Sequence, residues 1–468
     1  MESNKQKKID SLTESIGKFS LRKKKVLIPA MNRTATRLMA ATFRGFGIDA
    51  QVLETYKGLD LGKKYTSGKE CFPCQITMGD ILYFLAKEQE KLGNYFNPEN
   101  YLYFLPEADG PCRFGMYNKY QRIVLDMFPG LDKVRIVSLT TRDGYSLDGL
   151  IEPERVLDFR KASYLAVLVA DILDRLQWRI RPYEKRQGST EEFIKRSLGI
   201  METIFETHAV QKKYDKIMDK LENITLESKT LIKQSIPPKP LIGIVGEIFL
   251  RMHADANQDL IRVLENHGAE VVNASLAEWV NYISYDGLRN AKYGLRLNLK
   301  QLNFSAFKSY LKAITKFGGD LLYQEYRQKQ IYKRMNRIVD VIQDHKVAHL
   351  ERILEKNDIY SFHMGTEACL SIATIVNCAS TGYNGMVNVF PFTCMPSMTT
   401  SAIVKPLMKK MRTPYLDVPY DSSIQPGREA TIRTFMHQAH QHFQRYGNRR
   451  ANKRLKNFSK KSQAVFSG

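Results

Sequence analysis

The chain has 468 residues, with 71 Lys and Arg against 49 Asp and Glu, a formal net charge of +22. That length exceeds one hydrophobic core and predicts two domains. At 43% hydrophobic and 26% charged, the composition is that of a soluble globular protein and excludes collagen, coiled coil and long disorder as the main architecture.

The first stretch, MESNKQKKID, has no apolar core behind its charges and does not read as a signal peptide. The longest apolar run, residues 163–173, is shorter than a membrane span and contains Asp171. These features predict a cytoplasmic protein. Residues 1–24 read as a basic arm. The first 25 residues carry eight cations and three acids, and residues 445–461 carry eight cations and no acid. Much of the charge therefore sits in two tails, which suits solubility or an acidic partner and argues against a nucleic-acid role for the body.

Structure is expected to begin at VLIPA (26–30), a short buried strand. A helix over 33–46, a stop at Gly47 and a strand over 50–53 follow. Short apolar runs without alternation suit a parallel sheet covered on both faces. Further strands are expected at 101–105 and 134–139, with a helix near 116–127 between them. Residues 154–233 read as helical and charged, ending in PPKP (237–240), the best boundary in the chain. A second strand–helix–Gly–strand start follows: LIGIV (241–245), a helix over 257–266, His267-Gly268 and a strand over 269–272. A helical stretch over 303–355, strands at 386–390 and 415–418, and a closing helix over 429–443 complete the pattern. The expectation is an α/β chain of doubly wound parallel-sheet subdomains with helical insertions. Its two domains are placed at 25–236 and 237–443, followed by a basic tail over 444–468. Ligands of such sheets sit at the carboxyl ends of the strands, and a cleft between the halves is the default site.

Six cysteines are too few for a disulfide scaffold. Cys71, Cys74, Cys112 and Cys394 lie in turn-like loops rich in Pro and Gly, where thiols from several strands' ends can converge. Cys369 and Cys378 lie in an apolar segment, CLSIATIVNC, and read as core. Zinc prefers a second close pair of ligands, which is absent, whereas soft thiolates from isolated loops suit an iron–sulfur cluster. A thioredoxin-like role for Cys71 and Cys74 leaves Cys112 and Cys394 unexplained. The pair His345 and His349 lacks the glutamate of a zinc-protease motif and reads as a solvated helix face. His437, His440 and His442 read as residues favoured near a helix C-terminus. No phosphate-binding loop, dinucleotide fingerprint or nucleophile elbow is present in the sequence.

Three cysteine loops carry a resemblance. YTSGKECFP (65–73) with TMGD (77–80), GPCRFGMYN (110–118) and PFTCMP (391–396) resemble the 2-hydroxyacyl-CoA dehydratase and CoA-substrate-specific activase superfamily, which is related to the double-cubane proteins. IGIVGE (242–247), Asn257, Asp259 and FMHQA (435–439) fit the same pattern, so the likeness covers roughly 25–442. It implies flavodoxin-like subdomains holding a [4Fe–4S] cluster, with Cys71, Cys112 and Cys394 as ligands and Cys74 as a fourth ligand or a spectator. Three thiolates would leave one iron open to substrate, water or a bridging sulfide. Lys69 and Arg113 would flank the cluster, Arg113 donating to cluster sulfur or balancing its charge.

The family's actin-like ATPase is not in this chain, so a separate ATP-hydrolysing partner would supply the electron. A second cluster-bearing subunit, or a homodimer, would complete a double cubane. Ser397 departs from the Gly that relatives often carry after Cys-Met-Pro. In the family's dehydratases the electron makes a ketyl radical from an acyl-CoA, permitting loss of an unactivated hydroxyl. The resemblance thus implies a hydro-lyase or a redox accessory component of anaerobic metabolism. The alternatives are a zinc-stabilised scaffold and a nucleic-acid-binding scaffold using the basic tails.

Overall fold

Each of the short apolar runs becomes a strand of one of two four-stranded parallel sheets. In the computed structural model, residues 24–108, 110–139, 151–301 and 306–448 are described. The basic ends over 1–23 and 449–468 lie outside the described residues. The chain divides into two compact units: residues 1–167 with 198–219, and residues 168–197 with 220–468.

The first unit opens with β1 (Lys25–Ile28), whose Val26, Leu27 and Ile28 are buried. Helix α1 (Arg33–Gly45) follows; Asn32 caps it, its Oδ1 accepting from the Ala35 N–H at 2.6 Å. Then come β2 (Ala50–Val52), α2 (Leu59–Lys64), α3 (Phe72–Leu92), β3 (Tyr101–Phe104), α4 (Tyr117–Leu125) and β4 (Arg135–Val137). The sheet order is β2-β1-β3-β4, all parallel. Every strand is short, and the core is completed by Met78, Ile81 and Leu85 of α3, Leu125 of α4 and Tyr103 of β3.

Helices α5 (Pro153–Ile180) and α6 (Ser189–His208) each run from one unit into the other, and α7 (Tyr214–Lys229) crosses the same division. In the first unit, Arg37 and Arg44 on α1 pair with Glu202 and Glu206 on α6.

The second unit repeats the scheme with β5 (Leu241–Gly246), α8 (Ile248–Met252), α9 (Leu260–Asn266) and β6 (Glu270–Asn273). It continues through α10 (Leu276–Lys300), α11 (Phe307–Met335), α12 (Val347–Lys356), α13 (Thr366–Ser380), β7 (Gly385–Pro391), α14 (Met395–Met411), β8 (Tyr415–Tyr420) and α15 (Arg428–Tyr446). Its order, β6-β5-β7-β8, is the same 2-1-3-4 winding. The fold is therefore mixed α/β with two all-parallel sheets, in the flavodoxin-like manner, with helical insertions.

The largest insertion is the α10–α11 pair between β6 and β7. Phe317 and Tyr310 seat their rings on Gly287 and Gly294, where an added Cβ would come within 2.7 and 2.6 Å of them. At the base of α10, Asp171 of α5 accepts from the Leu276 and Ala277 N–H groups at 3.0 and 2.9 Å. Arg175, one turn further along α5, pairs with Asp344 and donates to the Ile342 carbonyl. Ser275 donates to the other Asp344 oxygen at 2.7 Å. Arg251 donates to the Gly246 and Ser275 carbonyls at 3.2 and 3.1 Å, fixing the carboxyl end of β5 against this buried network. Among the described residues, no helix is long and apolar enough to cross a membrane.

Candidate functional site

The recognisable cysteines fall at helix starts near the carboxyl edges of the sheets. In the first unit Cys71 is the N-cap of α3, at φ +106° and ψ 144°, a backbone conformation that costs a non-glycine residue energy. The turn before it is closed by Glu70, whose carboxylate accepts from the Ser67 N–H and hydroxyl at 3.0 Å. Pro73 occupies the first turn of α3, where its missing N–H is no loss. Two turns in, α3 packs closely on the chain at Gly58: a Cβ on Gly79 would stand 2.2 Å from the Gly58 carbonyl oxygen.

Cys74 is fully buried inside the same helix. Burial pushes its thiol well above the usual cysteine range, and the neighbouring Cys71 and Glu70 add to the shift. Beside it Tyr103 donates to the Thr77 carbonyl at 3.2 Å, and the Gln121 amide donates to the Thr77 hydroxyl at 2.8 Å.

Cys112 follows β3 and caps a single 3₁₀ turn, Arg113–Met116. Gly115 in that turn is required: a Cβ there would lie 2.6 Å from the Ala108 carbonyl oxygen. Asn118 donates to Glu107 at 2.7 Å and to Ser138 at 2.6 Å, and Lys119 donates to Glu107 at 3.0 Å, holding the loop to the strand ends. Arg113 donates through Nη1 to the Lys69 carbonyl, and the Tyr120 hydroxyl donates to the Tyr65 carbonyl at 2.6 Å. The first unit thus ties the Cys112 loop to the Cys71 loop through two main-chain acceptors. Lys69 is exposed.

In the second unit Cys394 is the N-cap of α14, again with a proline in the first turn. The loop from β7 is pinned by the Phe392 N–H to the Tyr420 carbonyl at 2.7 Å and the Cys394 N–H to the Pro391 carbonyl at 2.9 Å. Thr393 sits at φ +66°. Burial pushes the Cys394 thiol above its usual range; Glu367 and Glu247 add to this, while the Ser397 N–H and hydroxyl oppose it. Phe392, Met395 and Met398, around the buried thiol in sequence, are exposed apolar side chains.

Glu247 itself caps α8, accepting from the Phe249 and Leu250 N–H groups at 3.0 and 2.9 Å, yet burial raises its carboxyl to about 7. Glu367, buried and likewise raised, was not singled out from the sequence.

Cys369 and Cys378 both lie buried in α13, away from loop contexts. Cys369 Sγ contacts the Gly365 carbonyl at 3.2 Å, and burial pushes its thiol up to about 12. The histidines differ from expectation. His345 precedes α12 rather than lying on it, and bonds the Asn377 amide at 2.6 Å. His442 is buried and its ionisation falls to about 4, so it is neutral and burial, not the helix dipole, governs it.

Cys71, Cys74 and Cys112, with Lys69 and Arg113, belong to the first unit, and Cys394 belongs to the second. Among the described residues, no group of three or more His, Cys, Asp or Glu side chains is gathered closely enough to hold a metal ion. No protein-family model matches the chain, and no curated protein matches it.

Proposed function

We propose that this chain is an iron–sulfur protein of the 2-hydroxyacyl-CoA dehydratase and activase type, with Cys71, Cys112 and Cys394 as the ligands of a [4Fe–4S] cluster. The observation that supports it best is topological. Cys112 follows β3 and Cys394 follows β7, the third strand of each sheet, so the two thiols hold equivalent places at the two switch points. Doubly wound sheets bind their ligands there.

The donor chemistry fits the group. All three residues are helix N-caps whose side chains make no capping hydrogen bond. A helix N-terminus favours a thiolate, and a bound cation displaces the proton that burial otherwise holds on Cys394. Cys74 is packed on all sides and serves as core beneath Cys71. When bound, the cluster supplies one-electron transfer at low potential. Arg113, by holding the Lys69 carbonyl, sets the separation of the two loops in the first unit and brings positive charge to them. The chain has no phosphate loop, so a separate ATP-hydrolysing partner would deliver the electron. An acyl-CoA is the substrate class that the dehydratase members would take.

Anaerobically purified full-length protein should be brown, with iron and acid-labile sulfide in near-equal amounts. Cys112→Ala and Cys394→Ala should abolish the colour, whereas Cys369→Ala should keep it. A colourless protein carrying stoichiometric zinc overturns the proposal and favours a structural zinc site.

A further inference from the structure

Away from the cysteines, the second unit carries an open, solvent-facing cavity of about 390 Å³ at the end of α11, lined by Lys329, Tyr332, Lys333, Asn336, Arg337 and Gln343. That volume lies at the small end of the range of small-molecule sites. Every charged residue in its wall is a cation. Lys329 and Lys333 stand one turn apart on one face of α11, and Arg337 follows just past the helix end. Each is exposed, and none forms an ion pair among the described residues. Neighbouring cations behave differently: Arg334 pairs with Glu222 at 2.7 Å and Lys346 pairs with Glu325.

The neutral groups add donors. Asn336 spends its carboxamide oxygen on the Val341 N–H at 2.8 Å, which leaves its NH₂ group to donate outward. Gln343 makes no hydrogen bond among the described residues. Tyr332 is buried, with the Arg175 guanidinium 5.8 Å from its ring centroid, so the wall rests on the Arg175–Asp344 pair. Favourable placement of cations near a helix C-terminus accounts for Lys333 in the last turn of α11, but not for Lys329 above it or for a cavity between the three.

We propose that this cavity binds a phosphate or diphosphate group of a small phosphorylated molecule, held by Lys329, Lys333 and Arg337 with the Asn336 amide as a neutral donor. Arg and Lys around a donor-rich hollow suit a phosphate's charge and its several acceptor oxygens. This proposal is independent of the cluster, since no cysteine lies at the cavity.

The test titrates full-length protein with inorganic pyrophosphate at physiological ionic strength by calorimetry. Saturable binding should weaken about tenfold or more in Lys333→Gln/Arg337→Gln. Lys308→Gln/Lys312→Gln removes the same charge from exposed positions on the same helix and should keep the affinity. Sedimentation with phosphatidic acid vesicles separates the sources of the group. Pelleting lost in Lys333→Gln/Arg337→Gln alone assigns the site to a lipid headgroup, and pyrophosphate binding without pelleting assigns it to a soluble phosphate. Absence of pyrophosphate binding and of pelleting, or equal losses in both double variants, overturns the proposal.

Discussion

The Arg113 guanidinium donates to the main-chain carbonyl of Lys69, so the residue after Cys112 holds the turn that leads to Cys71. The bond joins two loops 44 residues apart in sequence, and a guanidinium reaches a carbonyl at that span where an ammonium has only a point contact. Arg113→Ala should therefore loosen both loops together. On the proposed cluster assignment, the expected outcome in anaerobic protein is several-fold faster loss of iron to a chelator, with Arg113→Lys intermediate. Arg196→Ala, which removes an exposed ion pair with Glu227, should leave the rate unchanged. Equal rates for Arg113→Ala and the unaltered protein would sink the positioning role.

Gly79 tests how α3 is seated. Replacing a glycine by alanine inside a helix ordinarily stabilises by about 1 kcal/mol. Here the new methyl would stand 2.2 Å from the Gly58 carbonyl oxygen and 2.6 Å from its carbon, both backbone atoms that no rotamer change can move. Overpacking of this kind costs roughly 1–3 kcal/mol or more, so the clash outweighs propensity. Gly79→Ala should lower the denaturant midpoint, whereas Gly319→Ala in α11, which meets nothing within 4 Å, should raise it or leave it level.

The two sheets were legible because a strand buried on both faces is a short uninterrupted apolar run, and VLIPA and LIGIV are such runs. The helical stretches were legible as helices but not in their partners. Helix periodicity shows which face is apolar, not what covers it, so the passage of α5 and α6 from one unit to the other carries no local mark. The buried network was hidden for the same reason: Arg175 and Asp344 are 169 residues apart, and each alone reads as surface charge. His345 was misplaced because a four-residue spacing suggested a helix that begins only at Val347. The cysteine loops were found by their Pro and Gly contexts, yet Glu367 and Glu247 near Cys394 emerge only from three-dimensional packing.

His442 should contribute to the acid limb of stability, alongside His253, which burial lowers to about 4 as well. Asn384 accepts from the Leu241 N–H at 2.9 Å through its oxygen, so its NH₂ group faces His442 Nδ1 at 3.1 Å. That nitrogen must accept, and protonating it breaks the bond in a buried place. Its ionisation, lowered from 6.5 to about 4, makes the unfolded chain take up more protons between those values. Stability is thus fully present above pH 6.5 and is lost as the pH falls through about 4. The loss from this group is roughly 3 kcal/mol. His442→Asn, whose oxygen can take the same bond, should flatten the slope of unfolding free energy between pH 6.5 and 4; an unchanged slope would show that the ring is not the sensor.

Glu278 should act with the opposite sign on the alkaline side. It is buried against Asp344, and burial together with that charge raises its carboxyl to about 8 despite Arg251 and Arg175 nearby. Its Oε1 accepts from the Thr374 hydroxyl at only 3.5 Å, a weak compensation for a buried anion. The folded protein therefore holds this proton between pH 4.5 and about 8 while the unfolded chain has released it, so stability falls as the pH rises through that window. Glu278→Gln keeps the shape and the acceptor but cannot ionise. Its stability relative to the unaltered protein should improve by roughly 2 kcal/mol between pH 6 and pH 9. Denaturant titrations at the two pH values measure it directly. Parallel shifts at both would mean that Glu278 is ionised throughout, with Arg251 as its full counter-charge, and the variant should then be destabilised at pH 6 as well.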